Sequence, residues 1–252
     1  AIRGDSIWLT TDGGVHLSPD RGATIRERSF GIAASEIWGF DQSHDGSVMT
    51  IGAYHLPIFI RDTIVYARPD PIDGWYAWSG ADAMGANVNP IATEWLYAKP
   101  WSSVRGLRTQ TKAVPPSASA LGIDLGYITL DNLNVDLQRY YTLYAIDYEH
   151  QRVVTSRDNA STWNTTRQFS NWVGRLRASQ RDSKRQMVVG DNELWLTTNA
   201  GQSWQAITPP ASLSKGRGIA DMAFADGTDN NILVAYNGVQ TAVKVLETTD
   251  AG

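Results

Sequence analysis

The 252-residue sequence predicts an all-β chain of short repeated strands, and three observations carry that prediction. Helical periodicity is nearly absent. In its place, runs of β-branched and aromatic residues recur, closed by Gly, Asp, Asn or Pro roughly every 8–12 residues. The chain also repeats itself, both in a strand ending Trp-Leu-Thr-Thr and in a Ser/Thr-x-Asp/Asn-x-Gly/Ala turn. Many short strands at this spacing fit a sandwich, a barrel or a propeller.

In chain order the clearest strands are SIWLTT (6–11), SVMTIGAY (47–54), WLYA (95–98), YTLYAIDY (141–148) and RVVTS (152–156). QMVVG (186–190), ELWLTT (193–198), NILVAYN (231–237) and VKVLETT (243–249) follow. Each is apolar or alternating over strand length and bounded by turn formers. AVPPSASALG at 113–122 reads as a loop insertion, because strand patterns resume directly after it. Residues 1–252 therefore read as one segment of a single domain.

Composition narrows the function classes. With 42% hydrophobic residues and a net charge of −4, the chain is not a disordered polyelectrolyte. Its longest apolar runs, such as LPIFI at 56–60, are far short of the roughly 20 residues that span a bilayer. No cysteine is present, so disulfides and thiolate sites are excluded. The acidic balance argues against generic nucleic-acid attraction. Apart from RGATIRER at 21–28 and the arginine-rich span 175–185, the arginines are scattered, and scattered arginine reads as solvated strand surface.

The repeats say more. GDSIWLTTDGG at 4–14 matches GDNELWLTTNAG at 190–201, and SPDRGATI (18–25), SRDNASTW (156–163), TTNAGQSW (197–204) and TTDAG (248–252) share the turn pattern. An Asp or Asn can accept amide hydrogen bonds from its own turn. Gly supplies a positive φ there, and the Trp that follows is an apolar anchor. These turns resemble Asp boxes, or BNR repeats, of the sialidase, xyloglucanase and sortilin types. On that resemblance Ser18, Asp20, Gly22, Ser156, Asp158, Trp163, Thr197, Asn199, Gly201, Trp204 and Asp250 are structural box residues. Ile25 stands where the family has Trp, Ala160 where it has Gly, and Asn199 where it has Asp. Trp163 and Trp204 are expected beneath their own turns, against Val153 or Val154 and Leu194 or Leu196.

The resemblance implies a β-propeller. A four-stranded blade takes on the order of 40–50 residues, so the box spacing predicts about five four-stranded blades. The last box stops before its Ser/Thr-Trp, which predicts a piece of a larger propeller in a secreted or cell-surface bacterial protein. Segments 34–54 and 74–98 are similar to a sortilin-like pattern, with Gly80, Asp82, Gly85, Asn89, Pro90, Tyr97 and Ala98 at matching positions.

Catalysis would need more than turns. Inverting glycoside hydrolysis uses two facing carboxylates, and Asp12, Asp41, Asp45 and Asp82 are candidates. Asp12, in TTDGGVHLS, resembles the xyloglucanase stretch that carries a catalytic Asp, and no convincing second carboxylate motif accompanies it. AIRGDS at 1–6 lacks the Pro of a sialidase segment. DQSHDG at 41–46 opens like a calcium loop, yet position twelve is Gly52 instead of Glu. DGTDNN at 226–231 reads as a plain turn. No metal and no cofactor is therefore expected. The four histidines form no HExxH pair, and GxSxG and P-loop motifs are absent. Trp75, Tyr76 and Trp78 are candidate binding aromatics in a turn-rich segment. The leading expectation is a non-catalytic module that binds a protein or polysaccharide. The alternatives are a glycoside hydrolase of the xyloglucanase type and a scaffold segment of a surface or secretion assembly.

Overall fold

The computed structural model describes residues 2–11, 14–28, 37–53, 58–62, 75–77, 86–98, 107–110, 119–125, 133–139, 141–191, 193–208, 218–225, 229–236 and 244–248. They form 23 strands and no helix. No helix among them is long and apolar enough to cross a membrane. Strands that follow one another in sequence pair antiparallel, giving six up-and-down sheets in chain order.

The first sheet holds β1 (Ile2–Arg3), β2 (Ser6–Thr11), β3 (Gly14–Ser18) and β4 (Arg26–Glu27). The second holds β5 (Ile37–Gln42), β6 (Val48–Ala53), β7 (Phe59–Asp62) and β8 (Trp75–Ala77). The third runs through β9 (Ala86–Val88), β10 (Trp95–Ala98), β11 (Leu107–Gln110) and β12 (Ser119–Ala120). The fourth comprises β13 (Leu133–Val135), β14 (Leu143–Asp147), β15 (Arg152–Ser156) and β16 (Asn164–Gln168). The fifth comprises β17 (Val173–Ala178), β18 (Gln186–Gly190), β19 (Glu193–Thr197) and β20 (Gln205–Ile207). The sixth has three strands among the described residues, β21 (Ile219–Phe224), β22 (Ile232–Tyr236) and β23 (Lys244–Thr248). Within the expected loop at 113–122, Ser119–Ala120 pairs with β11, and Leu121 is buried.

The core lies between the sheets. Val48, Ile58 and Ile60 of the second meet Ala86, Val88 and Leu96 of the third. Tyr97, Leu121 and Ile123 meet Leu133, Leu143 and Val154 of the fourth. Tyr144, Ile146 and Val153 meet Val173, Leu176 and Val188 of the fifth. Met187, Val189 and Leu194 meet Met222, Ile232 and Val234 of the sixth. A sheet covered on both faces needs apolar side chains on both, and β14 and β18 are buried along their whole lengths. Three first strands lie against the preceding sheet: β9 packs on β5 and β6, β17 on β13 and β14, and β21 on β17.

The turns after β3, β15 and β19 share one hydrogen-bond pattern. Asp20 accepts from the Thr24 amide at 2.8 Å and hydroxyl at 2.6 Å, and Asp158 does the same with Thr162 at 2.9 and 2.7 Å. Asn199 accepts from the Ser203 amide at 2.9 Å and donates to its hydroxyl at 2.8 Å. Ser18, Ser156 and Thr197 use their hydroxyls to hold the amides of Gly22, Ala160 and Gly201. Those three positions all have positive φ, of 96°, 65° and 83°. Trp163 packs on the cluster that contains the expected Val154 together with Tyr97 and Leu121, and its Nε1 donates to the Leu121 carbonyl at 2.7 Å. Trp204 sits differently from expectation. Trp204 lies against the cluster of Tyr144, Val153 and Phe169, not the one containing Leu194 and Leu196. Each ring fills the seam with the preceding sheet, because a sheet that buries both faces leaves its box turn beside a neighbour.

Candidate ligand-binding groove

The first strands carry a second repeat. Asp41 on β5, Asn87 on β9, Asn134 on β13 and Arg177 on β17 lie 43 to 47 residues apart. Each reaches the next sheet. Asp41 Oδ2 accepts the Val88 amide at 2.8 Å. Asn87 Nδ2 donates to the Leu133 carbonyl at 3.3 Å. Asn134 donates to the Leu176 carbonyl at 3.0 Å and accepts the Ala178 amide at 3.2 Å. Arg177 pairs with Asp221 on β21 at 3.2 Å. We call these residues latches.

Two residues beyond each latch stands a buried turn-former: Ser43, Asn89, Asp136 and Ser179. Ser43 Oγ accepts the Val48 amide, and Asn89 Oδ1 accepts the amides of Ile91 and Ala92. Asp136 Oδ1 accepts those of Gln138 and Arg139, and Ser179 Oγ those of Arg181 and Asp182. Small polar side chains that satisfy turn amides end each first strand at the same level. Asp136 also takes the Ser183 hydroxyl at 2.7 Å, tying the fourth sheet to the fifth.

The strand ends so aligned border a cavity of about 590 Å³, within the usual size of a ligand site. Its wall takes Asp41 and His44 from the second sheet, Asn87 from the third, Asn134 from the fourth, and Arg177 and Gln180 from the fifth. A second cavity of about 300 Å³ shares Arg177, Ala178 and Gln180 and extends to Arg181, Phe224 and Asp229. Together they make one groove across five sheets.

Charge is unevenly placed along it. Asp41 is the one carboxylate on the wall of the larger cavity among the described residues. Burial pushes its pKa above the ordinary carboxylate value, against the amides of Val88 and Gln42 that favour the anion. At the other end Arg175 and Arg177 both pair with Asp221, at 3.8 and 3.2 Å. Arg175 sits at a bulge between β17 and β18 with φ of 51°, a strained backbone beside the groove. Asp229 is held by the Ser179 hydroxyl at 2.6 Å. Asn87 Oδ1 is buried without a partner, an acceptor left over in the cavity wall.

Several of the residues singled out in the sequence fall elsewhere. Asp12, Asp82, Trp78 and Asp250 lie outside the described residues. Trp75 and Tyr76 are half-buried on β8, the fourth strand of its sheet, at the side away from the first strands that build the groove. Asp45 is occupied by its own turn, accepting from Ser43 and Ser47, while Asp41 bonds toward the third sheet. Asp147, Glu149 and His150 bring ligand atoms within 4.8 Å of one another. The buried Asp147 carboxylate is already held there by Arg152 at 2.8 Å and His150 at 2.8 Å, so it is engaged within its own hairpin. The latches were missed by sequence reading. A search for Asp/Asn-x-Ser/Asn/Asp at blade-length intervals finds Asp41, Asn87 and Asn134, but not Arg177.

No family model matches the sequence, and no curated protein matches it. Solved structures do. The GH74 xyloglucanase of Xanthomonas campestris is 16% identical, with a TM-score of 0.60 over 86% of this chain and 36% of that one. The Cps50 (Swd1) β-propeller domain of Myceliophteria thermophila is 10% identical, with a TM-score of 0.60 over 98% and 83%. A protein in the nidogen/laminin complex is 11% identical, with a TM-score of 0.53 over 92% and 85%. The chain spans only about a third of the length of the GH74 enzymes it resembles. At such identities the likeness speaks for architecture alone, and this chain has the β-propeller fold.

Proposed function

We propose that the chain is a non-catalytic interaction module, its sheets serving as blades of a propeller within a longer secreted or surface protein, and that a protein or glycan ligand lies in the groove over the ends of the first strands. The supporting observation is the groove itself, because five successive sheets place polar side chains on one concave surface. Propellers suit this use, since each blade contributes side chains around one axis without any reaction-specific constellation. Binding is favoured over hydrolysis because the groove's carboxylates among the described residues, Asp41 from the second sheet and Asp229 beyond the fifth, line different cavities, where inverting cleavage needs two facing each other at roughly 6.5–9.5 Å.

Arrays of immobilised glycans and peptides, probed with the chain and with Gln180→Trp, test the reading. Gln180 is exposed, so the new ring blocks the groove without entering the core. Binding that Gln180→Trp abolishes supports the module. Release of reducing ends from xyloglucan, lost in Asp12→Asn or Asp82→Asn, would establish the hydrolase instead.

A further inference from the structure

The latches perform one structural task, which is to bridge a first strand to the backbone of the next sheet. An amide is enough, as Asn87 and Asn134 demonstrate. At the two ends of the series the residue is charged, and there charge works against packing. Asp41 is a carboxylate pressed into a site whose burial disfavours its ionisation. Arg177 reaches its neighbour through a counter-ion, Asp221, which also pairs with Arg175 at a strained bulge. Residues that cost stability where a neutral homologue in the same chain suffices mark a functional demand.

The charges are also uneven: Asp41 stands at the second sheet as the larger cavity's carboxylate among the described residues, while at the other end Arg175, Arg177 and Arg181 outnumber Asp221 and Asp229. Between them the surface offers Gln42, Asn134 and Gln180, side-chain amides that both donate and accept, as a peptide backbone requires. No Trp, Tyr or Phe lines the larger cavity among the described residues; the rings along the groove are His44 there and Phe224 in the smaller cavity, short of the broad stacking platform of a sugar site. We propose that the groove binds an extended peptide that sets a basic side chain against Asp41 and an acidic side chain against Arg177 and Arg181.

This inference rests on the groove being the binding site, and the experiment separates the two. Short capped peptides of Gly, Ser and Gln, carrying one Lys and one Glu at graded separations and in both orders, are titrated by fluorescence anisotropy. One order and spacing should bind about ten-fold or more tighter than its Lys→Gln and Glu→Gln counterparts, a gap worth about 1.4 kcal/mol. Raising the salt should shrink that gap. Asp41→Asn should erase the preference for Lys alone, and Arg181→Gln should weaken that for Glu alone, giving non-additive double-mutant cycles. Arg181 is exposed, which keeps the second arm informative if a latch variant folds poorly. Peptides that bind regardless of charge but are blocked by Gln180→Trp would overturn the charge pairing and leave the groove standing. Oligosaccharide binding blocked by Gln180→Trp, with no peptide bound, would overturn the peptide class. Failure of every ligand to respond to Gln180→Trp would remove the site as well.

Discussion

At the scale of single residues, the box turns differ in one atom pair with a measurable consequence. The Thr162 amide and hydroxyl and the Ser156 hydroxyl hold the Asp158 carboxyl down to about 2, and Ser43 and Ser47 do the same for Asp45. A carboxylate depressed by folding contributes stability above its ordinary value near 4, and that stability is lost as pH falls toward 2. Asn199 has no such proton to gain. Protection of the 156–163 amides relative to their intrinsic exchange rates should therefore fall between pH 4 and 2 while that of 197–204 holds, and equal behaviour would contradict the assignment. Asp41 has the opposite sign. Its raised pKa means the folded chain binds the proton more readily than the unfolded one, so stability falls as pH rises past the ordinary carboxylate value. Asp41→Asn should raise the thermal midpoint at pH 7 and gain little in acid, checked by melts across pH. The hydrogen bonding of the boxes was legible in the sequence because it is local. The latch role of Asp41 was not, since its partner Val88 is 47 residues away.

At the scale of elements, the nine strands read from sequence are the second and third strands of their sheets, with the observed ends within a residue or two. Most of these strands are buried on both faces or alternate, so burial writes itself into composition; β2 is the exception, with Trp8 and Leu9 both exposed. First strands escaped notice because latches and bulges interrupt the pattern, as in β5 and β17, and fourth strands because some, such as β4, are only two residues long. The box tryptophans carry the seams between sheets. Trp163→Ala and Trp204→Ala should each cost about 3–5 kcal/mol, a large part of the 5–15 kcal/mol that holds a domain, while leaving groove binding in the folded fraction intact. Phe substitutions separate the two. Trp163→Phe loses the bond to Leu121, about 1 kcal/mol, whereas Trp204 Nε1 has no partner and Trp204→Phe should be milder. Denaturant midpoints decide it. Gly201→Ala should also destabilise: φ is +83° and the added Cβ would meet the Thr166 Cβ at 2.7 Å.

At the scale of the whole molecule, no described core cluster belongs to one sheet alone; each is shared by two neighbours. Nearest-neighbour burial makes adjacent sheets unfold together. Hydrogen exchange on β14 and β18 should report a common opening free energy, and Val188→Ala should lower both equally. A drop confined to the fifth sheet would show that the sheets open independently.

What the sequence determined by itself is what repeats locally: the all-β class, the box turns, and the strands whose side chains are apolar on both faces. Turn hydrogen bonds and strand burial depend on residues a few positions apart, so they leave a periodic trace. Which sheet each tryptophan plugs, and which polar residues share a groove, were decided only by tertiary structure. Asp41, Asn87, Asn134 and Arg177 meet on one surface because successive sheets stack by their first strands, and that stacking is a property of the assembled cores and of no single segment.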